Sequence, residues 1–386
     1  MFLRMPRFRA SSLRTRTLLI LLAAVSIAAL YTTRVSRKMP DFEVYWTAAS
    51  RAASAQPLYR AEDEHYQFKY LPAFAVLAVP LAWLPLGAAK AVWFGCSAVL
   101  ITVLLALSAR AMPAPRLPLV LLLVITFVAM AKFYAHELVL GQVNLLFAVV
   151  VMLAVLQLRR GSHAAAGLLL AAAVIVKPYA VLFAPWLAVR SPRAGFAAMI
   201  GALLIALILP AVIYGWHDNV RLLGDWWRTV RTSTAPNLTN QDNVSLAAMF
   251  HRWMGEQPAA GTFAALTGLL LLGLAGVVVA GRGTLPSSET LEAALLLILI
   301  PLLSPQGWDY VFLIATPGVM LLVDRLPSLP RGLRIATAIA IAASGLSIYD
   351  VMGRSAYAAF MATSAITICF LIEASALIAL RFRRAA

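Results

Sequence analysis

Long apolar stretches recur along almost the whole chain, and they constrain its fold more than any other feature. The 386 residues are 62% hydrophobic and 12% charged, whereas roughly a quarter of the residues in a soluble domain are charged. A stretch of about 20 apolar residues is long enough to cross a bilayer as a helix. The pattern predicts an all-α, polytopic membrane protein with about 12 crossings, formed as a single domain over residues 1–386. The apolar segments lie near residues 17–33, 70–86, 88–109, 117–134, 143–158, 163–177, 178–190, 194–214, 259–280, 288–304, 309–323, 333–349 and 356–380.

Basic residues concentrate in the short joins between these segments and at the two ends of the chain. There are 32 Lys and Arg against 16 Asp and Glu, which gives a formal net charge of +16. In a soluble protein such an excess favours nucleic-acid binding. Here the positive-inside rule accounts for it and argues against nucleic acid as a partner. The joins at Arg110, Arg159, Arg190 and Arg282 are therefore predicted to be cytoplasmic, as are both termini, with the first helix uncleaved.

Two long polar stretches, 34–69 and 215–258, are predicted to lie on the opposite, outer face of the membrane. Each mixes charges and amides with aromatic residues such as Tyr45 and Trp226. Aromatic rings favour the headgroup level, so the composition predicts amphipathic helices in the membrane interface.

The charge pattern also predicts where the crossings are interrupted. It requires 163–177 and 178–190 to be half-length segments that meet outside at Lys177-Pro178, where the proline breaks the helix. It further requires an odd number of crossings between the first outer loop and Arg110. Two segments are visible there, so the proline-rich stretch 70–86 is interpreted as a candidate re-entrant segment.

The same topology gathers the polar clusters on one face of the membrane. A random scatter of loops would divide such clusters between the two sides, so their convergence indicates one active site at the outer face. The clusters are Asp41 to Glu43, His136-Glu137, Gly141 to Asn144, Lys177 to Tyr179, Thr239 to Ser245, and Ser304 to Tyr310.

Three charged residues in these clusters have a functional and a simpler interpretation. Asp41 is either a general base for an acceptor hydroxyl or an interfacial carboxylate in water. Whether Glu43 pairs with it is left open, because the two residues share a side only if the segment is a strand. Lys177 lies between apolar stretches, where it either meets an anion such as phosphate or extends to the surface.

The second polar stretch offers similar alternatives. Asn240 and Gln241 suit sugar hydroxyls, but the same amides suit the start of a helix near Ser245. Arg228 and Arg231 flank them and bind either phosphate or anionic lipid. Beyond this stretch, Asp309 either caps the next helix or faces the site.

Metal and nucleotide chemistry has little support in the sequence. The two cysteines, Cys96 and Cys369, lie in apolar stretches without metal-site spacing. No phosphate-binding glycine loop or serine-nucleophile motif occurs. We therefore predict no metal site and no cofactor, and leave open a single, loosely held divalent cation.

Several motifs together resemble glycosyltransferase family 87, the bacterial polyprenyl-phosphate-mannose-dependent α-mannosyltransferases of the GT-C superfamily. The resemblance covers roughly residues 40–325, and the motifs occur in the expected order. They are Asp41-Phe42-Glu43-Val44-Tyr45-Trp46 with Pro57-Leu58-Tyr59 and Phe68-Lys69-Tyr70-Leu71-Pro72, Gly141-Gln142-Val143-Asn144, Gly167 through Lys177-Pro178-Tyr179, Asn240-Gln241 with Ser245, and Ser304-Pro305 with Trp308. Tyr310 stands where many relatives have histidine, and Gln306-Gly307 replaces a more usual apolar-Ser pair, which leaves the donor sugar and the acceptor open.

The resemblance implies a GT-C fold and inverting transfer of a hexose, mannose by analogy, from a polyprenyl-phosphate donor to a glycolipid or envelope glycan. Transfer would take place at the outer face of the bacterial cytoplasmic membrane, with membrane lipid around the site. Asp41 would be the catalytic base. The donor phosphate is assigned to Lys177, Lys69, Arg228 and Arg231. The sugar or the acceptor is assigned to Glu43, Tyr45, Gln142, Asn144, Asn240, Gln241, Trp308 and Asp309.

Two other functions compete with transfer. A transporter or flippase of a lipid-linked saccharide would also need aromatic residues, amides and cations near the membrane. It would favour polar groups at several depths and repeated halves, and no internal repeat is visible. A structural scaffold for envelope assembly would leave Lys177 unexplained.

Overall fold

The computed structural model describes residues 21–22, 25–281 and 288–382, and every regular element in these ranges is helical. Helix accounts for 82% of the structure, which confirms the predicted all-α class. The basic N-terminal arm, the start of the predicted first helix and Arg282 lie outside the described residues. Within them the first helical stretch ends in a π-helical turn at Tyr31–Val35.

We number the α-helices of the described ranges in chain order. Short 3₁₀ turns lie at Ala61–Tyr66, Pro178–Leu182, Asp309–Ala315 and Leu326–Ser328. The α-helices are α1 Pro40–Ala53, α2 Pro72–Leu77, α3 Val79–Ala82, α4 Leu86–Ala111, α5 Leu119–Leu140, α6 Asn144–Arg159, α7 His163–Val176, α8 Phe183–Arg190, α9 Ala194–Ile208, α10 Ala211–Leu238, α11 Leu246–Met254, α12 Pro258–Ala280, α13 Ser288–Leu303, α14 Thr316–Arg325, α15 Arg331–Leu346, α16 Tyr349–Met352, α17 Arg354–Ala362 and α18 Ala365–Phe382.

Five helical segments of the described chain are long and apolar enough to cross a membrane, which identifies an integral membrane protein. They are α4, α5, α12, α18 and the segment Asp309–Ser328 that contains α14. The pair α9 and α10 forms a sixth if its 89° bend is part of one span. The predicted count of about 12 crossings is not confirmed, because several predicted segments are short or divided.

The proline-rich stretch 70–86 is one of the divided segments. It folds into α2 and α3, which have 6 and 4 residues and begin at or next to Pro72 and Pro80. Neither is long enough to cross a bilayer. One helix of membrane-crossing length, α4, therefore remains between residue 69 and Arg110.

Two further breaks have a local backbone cause. Helix α7 ends at Val176, Lys177 is extended with φ −143° and ψ 105°, and the chain resumes in a 3₁₀ turn from Pro178. This is the interruption that the proline predicted. The predicted segment 356–380 is divided between α17 and α18, where Ser364 has a φ of 60°.

The basic joins meet at one end of the helices. Arg159 donates a hydrogen bond to the Ala111 carbonyl oxygen at 2.8 Å, and the Arg116 amide donates to Asp324 at 2.7 Å. Arg190 and Arg381 both pair with the buried carboxylate of Glu292. These contacts tie together the C-terminal ends of α4, α6, α8, α14 and α18.

The interior is built around α13, whose residues from Thr290 to Leu302 are all buried. Helices α12, α14 and α18 pack against it. Elsewhere small residues allow close helix packing, as is common in membranes. A Cβ atom added at Gly167 of α7 would lie 2.0 Å from the Gly195 carbonyl oxygen of α9. A cavity lies at the helix ends opposite the basic joins.

Candidate active site

A cavity of about 650 Å³ opens where the C-terminal ends of α5, α7 and α13 meet the N-terminal end of α1. The wall includes several residues that the sequence singled out, from five separate parts of the chain. These are Asp41, Tyr45, Lys69, Gln142, Lys177, Asn240, Trp308 and Asp309. The predicted convergence of polar residues is thus a feature of the folded chain.

Tight packing between α1 and the end of α5 fixes the position of Asp41. Helix α1 begins at Pro40 after Met39, whose amide donates to the Val139 carbonyl oxygen at 3.0 Å. Gly141 has a φ of 69°, and a Cβ atom there would lie 2.7 Å from the Phe42 Cβ atom. Glycine is therefore required both by the backbone conformation and by the close approach. This packing places Asp41 beside Gln142, the residue that follows Gly141.

The environment of Asp41 raises the pKa of its carboxyl group above the ordinary value. Burial is the largest cause, because it removes water from the charged form. The nearby side chain of Gln142 and the positive charges of Lys177, Lys69 and His65 offset part of this effect. A carboxylate with a raised pKa and nearby donors has the character of a general base.

A hydrogen-bonded network connects Gln142 with the floor of the cavity. Its side-chain oxygen accepts hydrogen bonds from Tyr45 at 2.8 Å and from Lys177 at 3.2 Å. Tyr70 joins the network through its hydroxyl group, which lies 2.7 Å from the Tyr45 hydroxyl and 2.9 Å from the Lys177 ammonium. The three residues hold the Gln142 side-chain oxygen, and its amide nitrogen donates to the Tyr310 hydroxyl at 3.4 Å.

Lys177 is a buried cation without a carboxylate partner among the described residues. Its side chain is 8% exposed, and its ammonium donates to neutral oxygen atoms and faces the Tyr70 ring at 4.8 Å. The helix break at Pro178 leaves this ammonium on the cavity wall rather than in lipid. A buried, unneutralised positive charge on a cavity wall favours an anionic ligand.

Asn144 supports the wall from behind. It is fully buried, and its amide nitrogen donates to Glu137 at 2.9 Å. Its side-chain oxygen accepts a hydrogen bond at 3.2 Å from Tyr179, which lines the cavity. Asn144 therefore orients a wall residue and does not itself face the cavity.

The segment between α10 and α11 is held largely by its own amides. Asn243 donates to the Pro305 carbonyl oxygen at 2.8 Å, and Ser245 caps α11 by accepting a hydrogen bond from the Ala248 amide at 3.1 Å. Arg252 donates to the carbonyl oxygen atoms of this segment. The helix-capping interpretation of the amide patch is therefore seen in the structure, while Asn240 still lines the cavity.

Besides Asn144, four predicted residues do not line this cavity. Glu43 lines an adjoining groove on the other side of α1 and pairs with Lys90. The Arg228 side chain is 76% exposed and pairs with Asp225 at 3.3 Å. The side chains of Arg231 and Gln241 are exposed, and neither lines the cavity.

A cluster of three charged or titratable residues also lies at the cavity wall, and sequence analysis singled out only two of them. Asp309 lies 3.4 Å from the Lys132 ammonium and 3.5 Å from the His136 ring nitrogen Nδ1. Lys132 sits inside an apolar stretch and was not singled out. The sequence spacing could have indicated Lys132, because Lys132 and His136 are four residues apart and therefore share a helix face.

The described residues contain no group of three or more His, Cys, Asp or Glu side chains placed to hold a metal ion.

Comparison with known proteins places the chain in a family. No curated protein matches it. The sequence profile of glycosyltransferase family 87 matches residues 68–305, which is more than half of the chain and includes Lys69, Gln142, Lys177 and Asn240. Asp41 and Asp309 lie outside the matched range. The chain therefore belongs to glycosyltransferase family 87 and is an integral membrane glycosyltransferase.

Proposed function

We propose that the protein is an inverting transferase that moves a hexose, in our proposal mannose, from a polyprenyl-phosphate donor to a glycolipid or envelope glycan acceptor. One observation carries the proposal. A half-buried carboxylate, Asp41, and a buried cation without a carboxylate partner in the described chain, Lys177, face the same cavity, and the Lys177 ammonium donates a hydrogen bond to the side-chain oxygen of Gln142, which lines the cavity with them.

The two charges suit the two ends of a displacement reaction. Asp41 takes the proton from an acceptor hydroxyl, whose oxygen attacks the anomeric carbon and forms the new glycosidic bond. The bond from that carbon to the phosphate oxygen breaks, and polyprenyl phosphate leaves with the electron pair. Attack opposite the leaving group inverts the anomeric configuration. Lys177 and Lys69 stabilise the charge on the departing phosphate.

The positions of the basic joins support a cavity on the outer face of the cytoplasmic membrane. Arg159 and Arg190 lie at the ends of helices whose other ends lead to the cavity through Gln142 and Tyr179. Because basic loops stay in the cytoplasm, the cavity would face the opposite side. We propose this topology for a bacterial envelope enzyme whose N- and C-termini are cytoplasmic.

A transfer assay on purified protein tests the reaction class. Protein in detergent is incubated with radiolabelled polyprenyl-phosphate-mannose and a membrane-lipid extract, and products are separated by chromatography. The proposal predicts a labelled product with an inverted anomeric centre.

A flippase for a lipid-linked saccharide is the competing function. In proteoliposomes it would move the intact donor between leaflets without forming product. That result, together with no transfer in detergent, would reject the proposed reaction.

A further inference from the structure

A second opening lies beside the cavity, on the other side of α1. It is a groove of about 720 Å³, and clefts that bind small ligands usually measure roughly 300–1,000 Å³. The groove and the cavity share a rim formed by Pro40, Val44, Tyr66 and Leu140. The proposed reaction needs two substrates, and Lys177 in the cavity accounts only for the donor phosphate. An acceptor bound in the groove would enter the cavity across the shared rim.

The groove carries an excess of positive charge. The carboxylates of Glu43 and Asp63, which line it, are both neutralised by ion pairs with basic residues. Arg37 and Lys38 also line it, and both are exposed and without a carboxylate partner in the described part of the chain. Two uncompensated cations on the wall of a groove favour an anionic ligand, above all a phosphate.

The segment that carries these cations is fixed close to Asp41. The Lys90 ammonium donates a hydrogen bond to the Lys38 carbonyl oxygen at 2.7 Å, and the Met39 amide donates to the Val139 carbonyl oxygen at 3.0 Å. Lys38 is three residues before Asp41, so the Cα atoms of the two residues are at most about 11 Å apart. A headgroup whose phosphate is bound at Lys38 can therefore bring one of its own hydroxyl groups to Asp41.

The two cations are also unexpected for their side of the membrane. The first helical stretch ends at Val35, and in the proposed topology Arg37 and Lys38 follow it on the outer face. Basic residues of short loops are normally concentrated in the cytoplasm. An anionic ligand in the groove gives a reason for two cations on the outer face.

The rest of the groove suits a hydroxylated headgroup. Glu43, Thr47 and Arg51 are spaced four residues apart along α1, so they share a helix face and line the groove together. Thr47 is half-buried and offers a hydroxyl group. Tyr66 is 56% exposed on the shared rim, where its ring presents a flat apolar face with a polar edge. Such a wall can both stack against a sugar ring and hydrogen-bond its hydroxyls.

We propose that the groove is the acceptor site and that the acceptor is a lipid whose hydroxylated headgroup carries a phosphate. Arg37 and Lys38 bind the phosphate. The hydroxylated part lies against Thr47 and Tyr66, and one hydroxyl crosses the shared rim to Asp41. The inference rests on the proposed glycosyl transfer and adds to it the chemical class of the acceptor and the place where it binds.

Fractionated acceptor lipids test the groove. A membrane-lipid extract is separated by anion exchange into neutral and anionic fractions. Each fraction is offered with radiolabelled polyprenyl-phosphate-mannose to wild type and to the double variant Arg37→Gln/Lys38→Gln. Arg34→Gln is the matched control, because Arg34 is an exposed cation of the same segment that does not line the groove. Binding of the anionic fraction to the purified protein is measured separately by native mass spectrometry, which needs no transfer.

Wild type should transfer sugar to the anionic fraction and not to the neutral one. The double variant should raise the KM for the anionic fraction about tenfold or more, because it loses charge-assisted hydrogen bonds to the phosphate. It should leave the KM for the donor unchanged and bind less anionic lipid. Arg34→Gln should match wild type in all three measurements, and the charge-conserving variant Arg37→Lys/Lys38→Arg should recover most of the loss.

The possible failures are distinguishable. Transfer to the neutral fraction, or a double variant that matches Arg34→Gln in acceptor KM and in lipid binding, would reject the acceptor site and leave the transfer reaction standing. If inorganic phosphate binds at these cations and the anionic lipids do not, the site is one for free phosphate and the headgroup is rejected. If wild type transfers sugar to neither fraction, the proposed function falls. Lipid binding then decides the groove alone, and equal binding by the double variant and wild type would reject it.

Discussion

The ammonium of Lys177 donates a hydrogen bond to the side-chain oxygen of Gln142 at 3.2 Å, and both residues line the cavity that Asp41 also lines. Both residues also lower the pKa of Asp41 against the larger effect of burial, so the proposed phosphate site and the proposed base influence each other electrostatically.

The Lys177→Gln variant should lose transfer without losing the fold. Removing the cation that stabilises the leaving phosphate is expected to lower kcat about 10²- to 10³-fold. The thermal midpoint of unfolding in detergent should stay constant or rise, because the ammonium is buried without a carboxylate partner in the described chain. Arg221→Gln, which removes an exposed cation of α10, is the control, and an equal effect of both variants would contradict the assignment.

Lys69 should control the pH dependence of transfer. Its charge lowers the pKa of Asp41, so Lys69→Met raises that pKa further. Asp41 acts as a base only when deprotonated, and activity falls as the pH drops through its pKa. The acidic limb of the kcat/KM profile should therefore move to higher pH by about 0.5–1 unit. An unmoved limb would show that Asp41 is not the group that titrates.

Arg228 was predicted from sequence to bind the donor phosphate, but its side chain is 76% exposed and paired with Asp225. We expect Arg228→Gln to change the KM for donor by less than about twofold, since exposed pairs contribute little. The measurement is a donor titration alongside Lys177→Gln. A large rise in KM would mean that α10 moves onto the cavity when donor binds.

The buried ion pairs of Glu292 with two arginines lead to a stability prediction. Glu292 is fully buried, pairs with Arg190 and Arg381, and accepts a hydrogen bond from Trp186 at 2.9 Å. Glu292→Gln leaves two arginines without their countercharge and should cost about 3–5 kcal/mol of folding free energy. The thermal midpoint of the variant in detergent should fall, whereas Glu373→Gln, which changes a fully buried carboxylate without a hydrogen bond in the described chain, should leave it almost unchanged. Equal midpoints for Glu292→Gln and wild type would contradict the role of this cluster.

The proposed topology can be measured by cysteine labelling. In a protein with Cys96 and Cys369 replaced, Gln241→Cys and Ser162→Cys introduce exposed thiols in two different joins. A membrane-impermeant maleimide added to intact cells should label position 241 and reach position 162 only after permeabilisation. Labelling in the reverse order would place the cavity in the cytoplasm.

Local sequence features predicted the class of fold and the main interruption of its helices. Apolar length indicated a membrane protein because the bilayer sets the length of a crossing. The Lys177-Pro178 break was predicted because proline removes a backbone donor. Which side chains face the cavity was much less predictable from the sequence. Asp41 and Glu43 are about 200° apart around a helix, and only the packing of α1 decides which of them faces the cavity.

Contacts between distant parts of the chain were not visible in the sequence at all. The Lys132–Asp309 pair joins α5 to the segment before α14, and no local pattern specifies that distance. The short helices α2 and α3 show the opposite case. Their prolines were visible, and in the structure Pro72 and Pro80 stand at the starts of helices of 6 and 4 residues, which are too short for a crossing.

The most direct measurement compares wild type with Asp41→Asn in a single-turnover transfer assay with polyprenyl-phosphate-mannose. Asp218→Asn serves as the matched control, since Asp218 is a half-exposed carboxylate of α10 that does not line the cavity. The account predicts product from wild type and from the control. From Asp41→Asn it predicts none, with thermal unfolding unchanged. Product formed by Asp41→Asn at the wild-type rate would contradict the central claim that this carboxylate is the base.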